Sequence, residues 1–335
     1  YLNGMEGAYS LVLLDGVPLL GGLASAYALD GIPLNMVQQV EVIQGPSSAR
    51  FGSQAVGGVI NVVLAPLHQG DAFSSLRLDG HGRFQTSGSA VLGRENALWQ
   101  VGVDGIHFQR RIDDNGDGFT DAPNMDRVVT TLRHQHLSNE RQSRLTARLF
   151  VEERFGGETG FREVDRGTDR AYGECIDLLR SEMTWGSAPR RGRGWTFQGG
   201  GAFHRQNSTY GMTAFDAQEW IANVDAFHSG WSWSENQYLR GGASLLWDVY
   251  KDETPASSDM NVWVPSLFGE YAGEAGSWSW IHGVRVEKPS TQNWVVAPRI
   301  NVKWTPHSIW DVRFNSGRGY RRVHLFSEEL AAGDG

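Results

Sequence analysis

The sequence predicts an all-β protein whose main sheet is an antiparallel barrel of the kind that crosses a membrane. Three observations support this fold class: the composition, the two-residue period of the strands and the alternating length of their connections. The chain has 335 residues, with 42 glycines, 13 tryptophans and a mean hydropathy of −0.37. Glycine disfavours helices, and aromatic residues favour strands. No run approaches the roughly 20 apolar residues of a membrane-spanning helix.

The composition also excludes several other classes. With 30 basic residues against 38 acidic ones, the net charge of −8 gives no basic footprint for nucleic-acid binding. The single cysteine, Cys175, cannot form an internal disulfide, which excludes a disulfide scaffold and a cysteine-based zinc finger. We interpret Cys175 as an incidental residue of a loop. A hydrophobic content of 40% is too high for a disordered chain.

From about residue 67 onward, apolar and polar residues alternate, as in strands with one wet face. In the run 144–152, for example, Leu145, Leu149 and Val151 alternate with polar residues. About thirteen such strands can be recognised. They lie near Leu76, Ser89, Trp99, Val128, Leu145, Leu179, Trp195, Ile221, Leu239, Val262, Trp278, Ile300 and Trp310.

Connections between the candidate strands alternate in length. Short links are predicted around 94–96, 138–141, 187–189, 273–275 and 305–307, and long links around 110–124, 154–177, 207–218 and 251–260. Transmembrane barrels have short periplasmic turns and long external loops, whereas nothing requires this of a soluble β-sandwich. Tryptophans near the strand ends would then lie at the membrane interfaces. They are Trp231, Trp233, Trp278, Trp280 and Trp304. A sandwich with an aromatic core remains the alternative on this pattern alone.

The first 66 residues have a different pattern, with short apolar runs broken by glycine and proline, as in a small α+β unit. The unit is too small to be stable alone, so we expect it to pack against a larger body. Its motifs are Leu14-Asp15-Gly16-Val17-Pro18-Leu19, Ile32-Pro33, Val40–Ser53 and Gly57–Val63. In this order they resemble the latter half of the plug domain of TonB-dependent outer-membrane receptors.

A second motif, Gly317–Phe326, resembles the Gly-Phe-Arg motif found in the barrels of cobalamin and ferric-siderophore receptors of that family. Two positions depart from the family pattern. Gln44 stands where family plugs usually carry Lys or Arg, and Arg322-Val323 replaces a frequent Ala-Pro.

The resemblance implies an incomplete transmembrane antiparallel β-barrel with a small α+β plug inside its lumen. Residues 1–66 would be the C-terminal part of the plug, and residues 67–335 the N-terminal part of a truncated barrel. Complete family barrels have 22 strands and a plugged lumen. The first half of the plug, the TonB-contact segment and the remaining strands are therefore expected outside this chain.

By the same resemblance, the activity is TonB-dependent active uptake of a scarce chelate rather than catalysis. The chelate would be a ferric siderophore, cobalamin or haem, and the location the outer membrane of a Gram-negative bacterium. The implied partners are the TonB complex, the chelate and outer-membrane lipid, without nucleic acid or an organic cofactor. A passive porin or surface adhesin barrel is the alternative, and a secreted β-sheet enzyme or lectin comes third. A porin needs no plug, which favours transport.

Two charged residues of the plug-like segment are candidates for contacts that hold a plug to a barrel wall. They are Glu41 and Arg50. Ionic groups inside a filled lumen should be paired, because an unpaired buried charge is costly. The alternative is that both side chains are simply solvated.

The segment 113–124 has the pattern of a calcium-binding loop. Asp113, Asn115, Asp117, the Phe119 carbonyl and Asp121 match positions 1, 3, 5, 7 and 9 of an EF-hand-type loop. Position 12 is Asn124 instead of a bidentate glutamate, so we expect weak affinity. A tight acidic turn is the alternative reading. A calcium-binding external loop here would also resemble the external loops in which cobalamin receptors of the family hold calcium.

Histidines offer weaker candidates. His134 and His136 share one face of a predicted strand and could bind a metal or haem, but we expect them to face a wet lumen. No catalytic triad, carboxylate pair or phosphate loop can be argued from the spacing, so the sequence gives an enzyme little support. The residues that contact the substrate cannot be named from the sequence.

Overall fold

The computed structural model describes residues 10–19, 31–44, 48–52, 55–253, 259–307 and 309–320. These residues form a four-stranded sheet followed by a 13-stranded sheet. No helix within the described ranges is long and apolar enough to cross a membrane. The predicted all-β fold class is confirmed. Gly45-Pro46, a dipeptide whose residue types predict a tight turn, and residues 321–326 of the second motif lie outside the described residues.

The small sheet forms the N-terminal unit, residues 10–64. Its elements are β1 (Ser10–Leu14), β2 (Val17–Pro18), β3 (Val37–Gln44), helix α1 (Ser48–Phe51) and β4 (Gly58–Leu64), with a 3₁₀ turn at Leu34–Met36. The spatial order is β2-β1-β4-β3, in which β1 and β4 are parallel. Apolar residues of β1 and β4 are buried on both faces, as parallel strands require. The 3₁₀ turn begins directly after Pro33, whose fixed φ suits the start of a helical turn.

The large sheet, called the wall below, is an antiparallel meander in which every strand pairs with its neighbours in sequence. Its strands are β5 (Ala72–Leu78), β6 (Phe84–Arg94), β7 (Ala97–Phe108), β8 (Asn124–Leu137), β9 (Arg141–Gly157), β10 (Gly173–Pro189), β11 (Gly194–Tyr210), β12 (Thr213–Ser234), β13 (Gln237–Asp252), β14 (Met260–Ala275), β15 (Trp278–Glu287), β16 (Val295–His307) and β17 (Trp310–Gly317). Each of the thirteen predicted strand centres lies in one of these strands, including Ser89 and Leu179, where the alternation of apolar and polar residues is weakest.

Links at one end of the wall are short, and most links at the other end are longer, as predicted. One prediction is wrong: the long link at 207–218 is instead a tight hairpin in which Tyr210 pairs with Thr213. Here the strands continue with polar residues that are buried, such as Ser208 and Thr209, so polarity did not mark a loop. Cys175 is likewise a buried residue of β10, not a loop residue.

The two faces of the wall have opposite character. Along β9, Thr146, Arg148 and Glu152 are buried, whereas Leu149 and Val151 between them are exposed. The same arrangement, in which polar residues are buried and apolar residues are exposed, holds on other strands. Exposed apolar residues include Val101, Val103, Val128, Leu132, Met183, Phe197, Val224, Leu245, Leu267, Val284, Val296 and Val312. An apolar outside and a polar inside are the alternation of a transmembrane barrel.

The polar face of the wall curves around the N-terminal unit. Met36 packs against Gly102 of β7, while α1 contacts β14, β15 and β16. Laid flat, the strands from β7 to β16 would span roughly 43 Å at the usual spacing. A unit of about 55 residues has a radius of gyration of only roughly 10 Å. It can touch both regions only if the sheet is curved, so the unit lies inside the curve.

Candidate functional site

The surface between the N-terminal unit and the concave face of the wall is the candidate functional site. It is held together by polar contacts at three places. The first is the Asp15-Gly16 turn between β1 and β2, whose φ angles of 51° and 82° suit a tight Asp-Gly hairpin. Asp15 Oδ1 accepts a hydrogen bond of 2.9 Å from the Leu64 N–H and lies 3.6 Å from Nη1 of Arg144 on β9. The turn thus joins β1, β4 and the wall.

The second contact is made by Arg133 of β8, whose side chain is buried. Its Nη2 donates a 2.9 Å hydrogen bond to the carbonyl of Ala65, directly after β4. Its Nη1 donates to Oε1 of Gln100 on β7 at 2.8 Å. The wall therefore fixes the point at which the chain leaves the N-terminal unit.

The third contact centres on Arg285 of β15. Its Nη1 donates to the carbonyl of Arg50 in α1 at 3.1 Å, and its Nη2 donates to the hydroxyls of Ser244 and Ser266 at 2.5 and 2.6 Å. Its Nε pairs with Glu287, which is only 2% exposed. Because both charges are buried, removing either one would leave its partner uncompensated, a cost of about 3–5 kcal/mol.

A polar cavity of about 50 Å³ lies beside this third contact. Its lining includes Arg50, Asp225, Ser244, Arg285 and Glu287. Asp225 accepts hydrogen bonds from Gln198 and Asn223. A polar space of this size has room for water. We call the three contacts together the seam. Beside the third of them, water has room to replace protein partners if the two bodies separate.

The structure places the two predicted locking residues in different surroundings. Arg50 lies at the wall, where burial lowers the pKa of its guanidinium, nearby Arg240 lowers it further, and Glu270 opposes both effects. Glu41 lies on exposed β3 and accepts hydrogen bonds of 2.8 Å from Gln39 and Asn61, all within the N-terminal unit. The two residues are therefore not brought together in the described structure, and their locking roles stay predictions.

The predicted calcium loop connects β7 and β8 as a compact turn. Asp113 accepts hydrogen bonds from the N–H groups of Gly116, Asp117 and Gly118 at 2.7–3.1 Å. Asp117 Oδ1 accepts from the N–H of Phe119 at 2.8 Å, and Asp121 Oδ2 accepts from that of Asp114 at 2.6 Å. Within the described residues, no group of three or more His, Cys, Asp or Glu side chains is placed to hold a metal ion. The carboxylates bind backbone N–H groups instead of converging.

The expectation that His134 and His136 face a wet lumen is wrong. They lie on the outer face of β8, because the alternating residues Thr131 and Arg133 point inward and are buried. His134 stacks on Trp99, with ring centroids 4.1 Å apart. Its Nδ1 lies 3.0 Å from the Leu98 carbonyl. Both rings belong to the aromatic surface at the short-link end.

Sequence reasoning missed most of the contact residues found here. Asp15 could have been found, because the Asp-Gly turn was visible in the sequence. Arg133 and Arg285 donate to backbone carbonyls, and no pattern of residue types marks a carbonyl acceptor.

Comparison with known proteins shows which fold has this geometry. Residues 1–59 match the family model described as the TonB-dependent receptor plug domain. The N-terminal unit is a plug, and the chain has the fold of a TonB-dependent receptor. The plug therefore packs against the inner face of a partial barrel wall of that fold.

Solved structures agree with this fold. The chain is 14% identical to a ferric enterobactin receptor of Pseudomonas aeruginosa, with a TM-score of 0.70 over 96% of this chain and 56% of that one. The siderophore receptor PirA of Acinetobacter baumannii gives 13% identity and 0.70 over 96% and 54%. The ferric citrate transporter FecA gives 12% and 0.64 over 97% and 56%. The chain thus spans little more than half the length of these receptors.

Proposed function

We propose that this chain is part of an outer-membrane receptor that takes up a scarce metal chelate with energy supplied through TonB. The observation that carries the proposal is the plug packed inside the curved wall. A wide barrel without such a unit conducts solutes passively, whereas a plugged one needs energy input to open. The apolar outer face of the wall supports a position in the membrane.

For the substrate we propose the ferric-siderophore class. The similar receptors are named for ferric enterobactin, siderophores and ferric citrate, which supports this choice over cobalamin and haem. The external links contribute arginines, but several are tied to carboxylates. Arg166 lies 2.9 Å from Asp177, and Arg162 lies 3.2 Å from Asp165. These pairs order the 158–172 link before any ligand arrives.

The seam explains how such a receptor can bind tightly and still release its ligand. Tight binding and fast release conflict, so an input of energy must favour a state that holds the ligand less well. A polar seam is suited to this cycle, because its polar groups can be satisfied by water when the plug moves. The buried ion pair Arg285–Glu287 lies entirely in the wall and can remain intact during that movement.

Uptake assays with the complete receptor test the proposal. Cells that carry it as their sole receptor of this kind should accumulate radioactive iron from a ferric siderophore, and deleting TonB should abolish that accumulation. Parallel growth assays with cobalamin and haem identify the other two substrate classes. Accumulation that persists without TonB would favour the passive porin, and the absence of uptake with every chelate would contradict the proposal.

We also propose that the 113–121 loop binds calcium weakly. Support comes from the spacing of Asp113, Asn115 and Asp117, which is that of the first three ligands of an EF-hand-type loop. Their side-chain oxygens accept hydrogen bonds within the turn. Calcium would have to displace several of these N–H donors. We expect millimolar affinity, as in weak extracellular calcium modules.

Titration calorimetry with calcium alone tests this prediction. Asp113→Ala and Asp117→Ala should abolish calcium binding and any calcium-dependent ligand binding of the complete receptor. Asp114→Ala is the matched control, because Asp114 lies in the same loop at a non-ligand position. An absence of binding to the parent protein would refute the proposal.

A further inference from the structure

The outer face of the wall carries a polar site at the short-link end of β9, β10 and β11. On β9, Arg144 and Arg148 point inward, since Arg144 lies 3.6 Å from Asp15 of the plug and Arg148 is buried. Arg141 has the opposite parity and shares the outer face with Leu149 and Val151, which are exposed. This arginine therefore lies on the side of the wall that faces lipid.

The guanidinium of Arg141 is held in one position by neutral groups. Its Nε donates to the Ser187 hydroxyl at 3.0 Å, and its Nη2 donates to the carbonyls of Ser187 and Trp195 at 2.8 and 3.1 Å. The group lies 5.8 Å from the centroid of the Phe197 ring. These contacts orient the cation without neutralising it. A charge on a lipid-facing surface is costly unless it meets an opposite charge.

Further polar and basic groups surround this arginine. The Ser143 hydroxyl donates to the Ser187 hydroxyl at 3.0 Å, and Ser143 pairs across the strands with His136. The adjacent links 138–140 and 190–193 contain three further arginines and one glutamate. Exposed aromatic residues flank the site at Trp195 and Phe197. The surface therefore combines positive charge, hydroxyl groups and apolar area at the edge of the membrane-facing band.

We propose that this site, centred on Arg141, Ser143 and Ser187, binds the phosphodiester head group of an anionic phospholipid. The inference rests on the proposed function for the position of the wall in the outer membrane. Short links of such barrels face the periplasm, so the lipid belongs to the periplasm-facing leaflet. The guanidinium supplies charge-assisted hydrogen bonds to the phosphate oxygens, and the aromatic residues contact the acyl chains. Basic pockets at this depth are suited to acidic lipid head groups.

Native mass spectrometry of the complete receptor tests the proposal with phosphatidylglycerol as the probe and phosphatidylcholine as the neutral comparison. The parent should retain phosphatidylglycerol in preference, and Arg141→Gln should weaken retention by about fivefold, the usual contribution of one surface arginine. Arg205→Gln is the matched control. Arg205 has the same outward parity on β11 but lies at the long-loop end, with its side chain 53% exposed. It should retain the lipid like the parent.

Three further measurements complete the test. The double variant Ser143→Ala with Ser187→Ala should weaken retention about twofold, and it replaces the arginine variant if that protein does not fold. Soluble glycerol phosphate should compete poorly with phosphatidylglycerol for the site. If it competes equally well, the site binds free anions and the lipid assignment is overturned. Unchanged lipid retention by the site variants would overturn the assignment as well. Siderophore uptake by Arg141→Gln should equal that of the parent. If neither the parent nor Arg141→Gln takes up the siderophore, that result contradicts the proposed function and not the lipid site.

Discussion

Removing residues 1–65 from the complete receptor should convert a closed barrel into an open channel. Among the described residues, the wall strands pair only with one another, so the deletion removes no strand from the large sheet. It does remove every plug contact, including those of Asp15 and of the Arg50 carbonyl. The lumen should then fill with water, because its inner face is rich in charged residues. Planar-bilayer recordings should change from no resolvable current to a current at least as large as that of a porin.

A matched deletion strengthens this test. Removing residues 112–120 shortens an external link that none of the three seam contacts involves, and it should leave the bilayer closed. Gel mobility with and without heating shows whether each variant still forms a barrel. A folded plug deletion that conducts no better than the parent would show that the described wall is not sealed by this plug.

The sequence predicted the wall well for a physical reason. A strand between lipid and a polar lumen must alternate in polarity, as Leu149 and Val151 do with Arg148 and Glu152 on β9. At 207–218 the pattern indicated a loop instead of strands, because strand residues that line a polar interior resemble loop residues. Ser208 and Thr209 are such residues.

The contacts of the seam could be predicted much less well. Arg285 meets the carbonyl of Arg50 across 235 residues of sequence, and a carbonyl is present at every position. Which carbonyl Arg285 meets is determined by how α1 is positioned against β15 in the folded protein. Glu41 attracted attention by its charge alone, and its hydrogen bonds stay inside the plug. Residue types therefore predicted that the plug contacts the wall, but they did not predict which atoms make the contacts.

A disulfide between Ala49 and Gly283 should stop transport while leaving ligand binding intact. Ala49 belongs to α1 of the plug and is 1% exposed, and Gly283 lies opposite it on β15. A Cβ built on Gly283 would lie 3.5 Å from the Cβ of Ala49. Disulfides join Cβ atoms about 3.5–4.5 Å apart. The pair Ala49→Cys and Gly283→Cys can therefore be linked across the seam without a large movement of either backbone.

The expected loss of uptake follows from where the bond lies. The third contact and its cavity are in this region, and the proposed cycle requires α1 to separate from β15 there. The bond prevents that separation, whereas the external loops that meet the ligand are not constrained by it. Siderophore affinity should therefore equal that of the parent, and iron accumulation should fall nearly to the level of cells without TonB.

Native cysteines are removed before the engineered disulfide is tested. Cys175 is the single cysteine of these 335 residues and is buried in β10, so the test uses a background in which Cys175 is changed to Ser and any cysteine elsewhere in the complete receptor is also replaced. Each single-cysteine variant should transport normally, which controls for the substitutions themselves. Adding a reductant to the linked protein should restore uptake within the same cells. If a fully linked receptor transports iron at the parent's rate, the plug need not separate from β15, and the chelate must pass by a route that leaves this side of the seam closed.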